Sequence, residues 1–424
     1  MSRPTPPTRI VISHVYSRAN KGDAALTSVL IQDLRRTFPD AAVTILTLAP
    51  SGPRAVFEGV PEKAGFMHYA LEKHPSAWRK LAYVAWMIPA TLLWAVWLRR
   101  AGRNLPLPAE MRAVAQTYAS ADMAVAVGGG YLRSRKGLAN RLNVPLLLHP
   151  LVLCRILGKP TILYSQSVGP FMYAYEGWMA AAVLKRLTCV MLREDISLTL
   201  LAKLGVRHNT ERTVDSGFLL KARGSVAVRK QYHIPDNVLL VGVTVRSWLD
   251  SQAQTAYEKA VAAALDGVVA TCGAHVLFIP QVTAHRGDDD REASKRVRNY
   301  MRHARAASVI TGEPDHTGIK AIYDKLDVLL GTRFHSVIFS LTSHVPVLAI
   351  EYEHKTSGIM HDLGLGEWVV KIEEINAAAL TRKLRQLIQN RGKYRLRLQK
   401  VVPPYVERAR QTAEVLADYY YNRR

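Results

Sequence analysis

The sequence predicts an α/β protein made of two Rossmann-like domains facing one cleft. Three observations point there. Short β-branched runs alternate with segments of helical period, the pattern of a parallel sheet with crossover helices. The alternation stops near residue 222 and restarts near residue 232. Glycines and polar side chains collect at the carboxyl ends of the predicted strands, where open α/β sheets bind ligands. A chain of 424 residues is long for one domain, and with 49% hydrophobic residues it can bury large cores.

The first strand is "IVISHVY", Ile10 to Tyr16. A helix follows, with Leu26, Val29, Leu30, Leu34 and Phe38 on one face and Asp23 as the expected N-cap. "AAVTILTL" (residues 41–48), "MAVAV" (123–127) and "TILYS" (161–165) read as the next strands. "CVMLRED" carries a strand to Arg193, "ISLTLLAKLGV" a helix stopped by Gly205, and "VDSGFLL" (214–220) a last strand. These make a first domain over residues 9–222. Residues 221–231 read as a linker. The second domain, 232–388, repeats the theme with "VLLVGVTV", "HVLFIPQ", "LDVLL" and "VPVLAIEY" as strands and "AYEKAVAAALDGVVATC" and "HSVIFSLTS" as helices. Residues 389–424 form a basic helical tail, a segment that can pack back on the first domain.

One insertion breaks the pattern. Residues 81–98, "LAYVAWMIPATLLWAVWL", carry no charge and are flanked by Arg79, Lys80, Arg99, Arg100 and Arg103. Two readings compete. The segment is a pair of buried helices broken at Pro89, or a Trp-rich element lying in a membrane interface while its basic flanks meet anionic lipid. A full span is disfavoured, because a spanning helix needs about 20 apolar residues and core strands lie on both sides in sequence.

Lys and Arg number 57 against 34 Asp and Glu, a formal charge of +23. That surplus calls for an anionic partner, and no zinc finger, RNP signature or basic zipper makes nucleic acid that partner. Cys154, Cys189 and Cys272 are far apart, so neither a disulfide framework nor a zinc site is expected. They read as reduced thiols in the cytoplasm. The first ten residues lack the apolar region of a signal peptide.

The chemistry-bearing residues sit at strand ends. "NKGDAA" puts Asn20, Gly22 and Asp23 at a helix N-terminus, where amides favour an anion; a turn with an N-cap explains it equally. Gly128, Gly129 and Gly130 let backbone approach a ligand, without dinucleotide or P-loop spacing. Gln166 opens "QSVGPF", which a structural turn also explains. Arg193 ("LREDIS"), Arg246 ("VTVRSW") and Arg333 ("GTRFHS") each end a strand. Arginine is the preferred bidentate partner of carboxylate and phosphate. A helix should start at about His335 or Ser336 and add its positive end. Lys355 follows "EYEH"; Glu351 and Glu353 suit sugar hydroxyls or balance the arginines. "HRGDDDRE" (285–292) reads as a solvated acidic loop rather than a metal site.

Together "NKGDAA", "QSVGPF", "LREDIS", "VTVR", "AYEKA", "GTRFHS" and "EYEHKTSGIMHDLGL" resemble, in order, the polysaccharide pyruvyl transferase family, from about residue 10 to 370. The resemblance implies a GT-B-like fold, phosphoenolpyruvate as donor and a sugar hydroxyl pair as acceptor. The product would be a cyclic pyruvate ketal on a cell-surface polysaccharide or its lipid-linked precursor, made without a metal or organic cofactor. It places Arg193, Arg333, His335 and Lys355 at the donor site; strand-end position adds Arg246. His335 is the expected acid, with Arg333 beside it in catalysis. Asn20, Gly22, Asp23, Gly128, Gly129, Gly130, Gln166 and Glu353 remain as acceptor or loop contacts. The enzyme is expected in the cytoplasm, peripheral at the inner face of the membrane. Two other readings stay open: a GT-B glycosyltransferase using a nucleotide sugar, and a non-catalytic basic protein that binds glycan or lipid.

Overall fold

A computed structural model describes residues 5–52, 55–74, 76–134, 140–224, 226–283 and 289–422. The chain divides into two compact units. One holds residues 1–17, 26–216 and 408–424; the other holds 18–25 and 217–407. The division differs from the expected one at both ends. The first βα loop falls with the second unit. The expected boundary at residue 389 lies inside one helix, Ala377–Arg410, which runs through Pro403 and Pro404.

The first unit carries an eight-stranded sheet. Its strands are β1 (Arg9–Val15), β2 (Ala42–Thr47), β3 (Val56–Phe57), β4 (Val60–Ala64), β5 (Met123–Val127), β6 (Thr161–Gln166), β7 (Cys189–Leu192) and β8 (Thr210–Arg212). They run in the order β3-β4-β2-β1-β5-β6-β7-β8. All neighbours are parallel except the β3–β4 hairpin. The central strands are buried along nearly their whole length, so they read as continuous apolar runs without alternation. "VDSGFLL" is not a strand: Ser216–Leu219 is a 3-10 turn. The edge position goes to "TER", which hydrogen-bonds to β7.

Residues 81–98 are not two helices. Ala77–Ala101 is one helix that passes through Pro89, capped by Ser76 and by Gly102 at φ 63°. Proline normally kinks a helix by losing an amide and crowding the preceding turn. Here one apolar row, Val84, Met87, Thr91, Trp94 and Ala95, is buried on both sides of the proline. It packs on the helix Asn143–Ile156, and that shared contact keeps the two halves in register.

Two histidines lie in this core. The His14 ring bonds Leu147 O at 2.7 Å and Ser13 Oγ at 2.9 Å. His149 Nε2 meets Thr91 Oγ1 at 2.7 Å. Burial lowers His14 to about 4 and His149 to about 3, His14 also contributing to the latter. Both are therefore neutral when folded but protonate below about 6.5 when unfolded. Their stabilising contribution is full above that pH and is lost as pH falls toward 4. At pH 5 each should cost on the order of 2 kcal/mol relative to neutrality. Thermal unfolding followed from pH 7.5 to 5 should show the midpoint fall, with a shallower slope in a His149→Gln variant. A flat profile would contradict the assignment.

The second unit has a six-stranded, all-parallel sheet. It comprises β9 (Leu240–Thr244), β10 (His275–Phe278), β11 (Ala307–Val309), β12 (Val328–Gly331), β13 (Val347–Glu351) and β14 (Val369–Lys371). The order is β11-β10-β9-β12-β13-β14. From β9 the chain builds outward to β10 and β11, then returns to place β12 on the other side. The topological switch point therefore lies between β9 and β12.

Candidate functional site

The carboxyl ends of β9, β10, β12 and β13 assemble four distant stretches of sequence. After β12, Thr332 and Arg333 lead into the helix Phe334–Thr342, so it starts one residue before the expected position. Arg333 is its N-cap residue without a side-chain capping bond. The cap comes instead from across the switch point. Thr244 Oγ1, at the end of β9, accepts from the amides of Thr332 (3.0 Å) and Arg333 (3.2 Å). It also shares a hydrogen bond with Ser336 Oγ at 2.8 Å. Tyr257, in the helix Ser251–Cys272, holds Thr332 Oγ1 at 2.8 Å. That contact gives "AYEKA" a reason to accompany "GTRFHS".

Arg333 is only 7% exposed. Its Nε lies 3.0 Å from both oxygens of Asp290, and its Nη2 2.5 Å from Oδ1. The same carboxylate accepts from the amides of Gln281 (2.9 Å) and Val282 (3.0 Å), just past β10. Burial raises the Asp290 carboxyl, and Arg333 pulls it back down. The expectation that Arg333 grips a ligand is thus redirected: most of its fork anchors a loop. The acidic stretch 285–292 is corrected too. Residues 285–288 lie outside the described residues, but Asp290 is a buried ion-pair partner and Asp289 caps a helix.

The Gln281–Thr283 strand end in turn receives the "NKGD" loop. Lys21 N donates to Gln281 O at 2.9 Å and Thr283 N to Ala19 O at 3.0 Å. Asn20, not Asp23, caps the helix Lys21–Thr37. Its Oδ1 accepts from the amides of Gly22 (3.1 Å) and Asp23 (3.3 Å), while its Nδ2 donates to Asp23 at 2.8 Å. The amides expected to receive an anion are thereby occupied. Gly22 is placed against His335: a Cβ there would fall 2.0 Å from Nδ1. The glycine is required by this close approach.

The remaining cations stand just past the ends of β9 and β13. The Arg246 guanidinium lies 4.5 Å from the Trp248 ring and 4.4 Å from the Tyr352 ring, cation–π contacts to two rings that themselves touch at 4.9 Å. Lys355 Nζ bonds Glu353 at 2.8 Å and sits 5.3 Å over Phe334, whose ring lies 5.2 Å from His335. Glu351 is engaged with Ser357. Arg246, Arg333 and Lys355 are thus interleaved with the carboxylates of Asp290, Glu351 and Glu353 beside a half-buried imidazole.

The first unit's switch point, between β1 and β5, has a different character. Gly128 and Gly130 take φ values of 155° and 123°. The Arg193 side chain is 0% exposed and ion-paired with Asp215. It also donates to Gly129 O, and to Ser167 Oγ at 2.8 Å. In this structure Arg193 holds the glycine loop, and its guanidinium is buried against Asp215. Gln166 is also fully buried, its Nε2 bonded to Ala126 O at 2.8 Å and Tyr131 Oη at 3.2 Å. Sequence reasoning missed Asp290, Thr244 and Tyr257. A lone Asp in an acidic run, or a Thr ending a strand, carries no local signal of a partner 40 to 90 residues away.

Residues 20–354 match the profile described as polysaccharide pyruvyl transferase. The chain belongs to that family. This family member is 23% identical, over 403 residues, to the amylovoran biosynthesis protein AmsJ of Erwinia amylovora, covering 90% of this chain and 92% of that one. Its fold resembles Anabaena HepE in complex with UDP-glucose, with TM-score 0.56 and 14% identity over 97% and 99% of the two chains. It also resembles the Neisseria meningitidis UDP-GlcNAc 2-epimerase bound to UDP-GlcNAc, with TM-score 0.60 and 11% identity over 97% and 98%. The architecture of two Rossmann-like units is GT-B-like, as the sequence predicts.

Proposed function

We propose that this pyruvyl transferase family member takes phosphoenolpyruvate as donor and a pair of sugar hydroxyls as acceptor. The acceptor belongs to a polysaccharide or its lipid-linked precursor, and the product is a cyclic pyruvate ketal. The observation that supports this most is the cluster at the second unit's switch point, where His335 stands among Arg246, Lys355 and their aromatic supports. The family match and the relative named for amylovoran biosynthesis support the polysaccharide as acceptor.

In this reading Arg246 and Lys355 receive the donor's carboxylate and phosphate. His335 protonates the methylene carbon, leaving an oxocarbenium-like centre on its neighbour. The first hydroxyl oxygen adds there. The carbon–oxygen bond to phosphate then breaks, and the second hydroxyl closes the ring. Of the two hydroxyl protons, one ends on the new methyl group by way of His335 and one on phosphate. Positive charge held in a partly buried site stabilises the departing phosphate. Arg333 acts by positioning His335 and the loop beneath it. The scheme uses no metal or organic cofactor, and it places the enzyme at the cytoplasmic side of the membrane, where lipid-linked precursors are reached.

Calorimetric titration with phosphoenolpyruvate, and with UDP-glucose as the competing donor, tests the reading. Saturable phosphoenolpyruvate binding, and phosphate release once an oligosaccharide acceptor is added, are the expected results. Binding of UDP-glucose with no response to phosphoenolpyruvate would overturn it in favour of a glycosyltransferase.

A further inference from the structure

The helix Ala77–Ala101 has a face that the fold leaves uncovered. At about 100° per residue, Trp78, Ala82, Trp86, Pro89, Leu93 and Trp97 occupy an arc of about 100°. All six are exposed, with Trp86 at 48%, Leu93 at 63% and Trp97 at 49%. The buried row described above lies on the opposite side. Only 28% of the helix's most apolar 18-residue window is buried. A core helix would bury most of that window, whereas an interfacial helix exposes one apolar face.

Charge is arranged at both ends of this face. Arg79 and Lys80 stand at its start, just after Trp78; Arg99, Arg100 and Arg103 follow it. Arg99 also lines an open cavity of about 1040 Å³, together with Arg155, Lys159 and Arg186, against Asp122 as the one acidic lining residue among the described residues. The cavity lies at the amino ends of β6 and β7, away from the carboxyl ends where the glycine loop sits. Its cations come from the last turn of Ala77–Ala101, from the end of Asn143–Ile156 and the turn after it, and from just past Ala174–Leu184. Asn143–Ile156 packs against both other helices, and Ala174–Leu184 exposes a further aromatic, Trp178, at 72%.

We propose that this helical side of the first unit docks on an anionic bilayer. Trp86, Leu93 and Trp97 enter the headgroup–acyl boundary, the helix lying in the membrane plane. The arginine-lined cavity and its neighbours meet lipid phosphates at one end, and Arg79 and Lys80 meet them at the other. An uncharged aromatic stripe between two basic clusters matches an anionic bilayer in both polarity and charge. A second copy of the chain would have to cover the stripe while its own identical cations faced these. The inference does not depend on the identity of the donor.

Vesicle flotation with the full-length protein tests it. Vesicles of phosphatidylcholine alone are compared with vesicles containing about one third phosphatidylglycerol. Binding should be at least tenfold greater to the anionic vesicles and should weaken with salt. Tryptophan fluorescence should be quenched by lipids brominated near the headgroup. The triple variant Trp86→Ser/Leu93→Ser/Trp97→Ser should lose at least tenfold in binding, with an unchanged circular dichroism spectrum. A second variant, Arg155→Glu/Arg186→Glu, should lose the preference for anionic lipid. Wild-type protein left unbound by anionic vesicles overturns the proposal. So does undiminished binding of the triple variant, or binding without quenching. A dimer in gel filtration that the triple variant dissociates, without vesicle binding, would assign the face to self-association instead.

Discussion

A His335→Asn variant loses roughly 10²–10⁴-fold in phosphate release, the range for removing a general acid, and keeps its thermal stability. The imidazole stands on the first turn of Phe334–Thr342, half-buried, against the rings of Phe334 and Phe339. Phosphoenolpyruvate affinity should change little, because Arg246 and Lys355 carry the donor's charge. The loss belongs in kcat, since proton transfer to carbon occurs only in the transition state. A companion variant separates chemistry from placement. Gly22→Ala keeps the imidazole but puts a methyl group 2.0 Å from the Nδ1 position, so the ring must swing away. A displacement of about 1 Å costs on the order of 10²-fold, and the pH profile should remain that of a histidine-dependent reaction. Full turnover by His335→Asn would remove His335 from the proton-donor role. A fully active Gly22→Ala would show that the ring's position against that glycine is not the productive one.

Asp290→Ala should destabilise the second unit by about 3–5 kcal/mol and abolish turnover as well. The substitution strands the buried Arg333 guanidinium and removes the acceptor of the Gln281 and Val282 amides. Those amides shape the strand end on which residues 19–21 pair, and Gly22 follows directly beneath His335. Arg333→Met should cost a similar amount, by leaving Asp290 charged and unmatched. The double variant Asp290→Leu/Arg333→Met should recover much of the stability, because replacing a buried pair with apolar side chains is often neutral. It should remain inactive, because the loop is no longer held. Denaturant unfolding and phosphate release measured on all three variants complete the cycle. If Arg333→Met left stability intact and only weakened phosphoenolpyruvate binding, Arg333 would be a direct ligand contact and its positioning role would fall.

Arg193 and Arg246 show the limit of reading charge from sequence. Both end a strand and both look available. In the structure Arg193 closes on Asp215, 22 residues on, while Arg246 packs against the Trp248 and Tyr352 rings. Local sequence does not distinguish a cation neutralised by a distant carboxylate from one supported by aromatic rings. The same holds for "DDD", where Asp289 caps a helix and pairs with Arg291 while its neighbour Asp290 is buried against Arg333. Pro89 misled in the opposite direction: a rule about isolated helices was overridden by packing against Asn143–Ile156.

The sequence carries the alternation that makes two parallel sheets and the position of polar residues at their carboxyl ends. It also carries the ordered motifs that place the chain in its family. Those features rest on local periodicity and on turn chemistry, which a linear string contains. Which of those polar residues meet is settled by the folded chain. The ring from Arg333 through Asp290 and the Gln281 strand end to Gly22 and back to His335 joins residues about 310 apart in the chain. Such a contact is specified by the register of strands and the reach of loops. No spacing in the sequence expresses it, so the site's residue types were legible while its wiring was not.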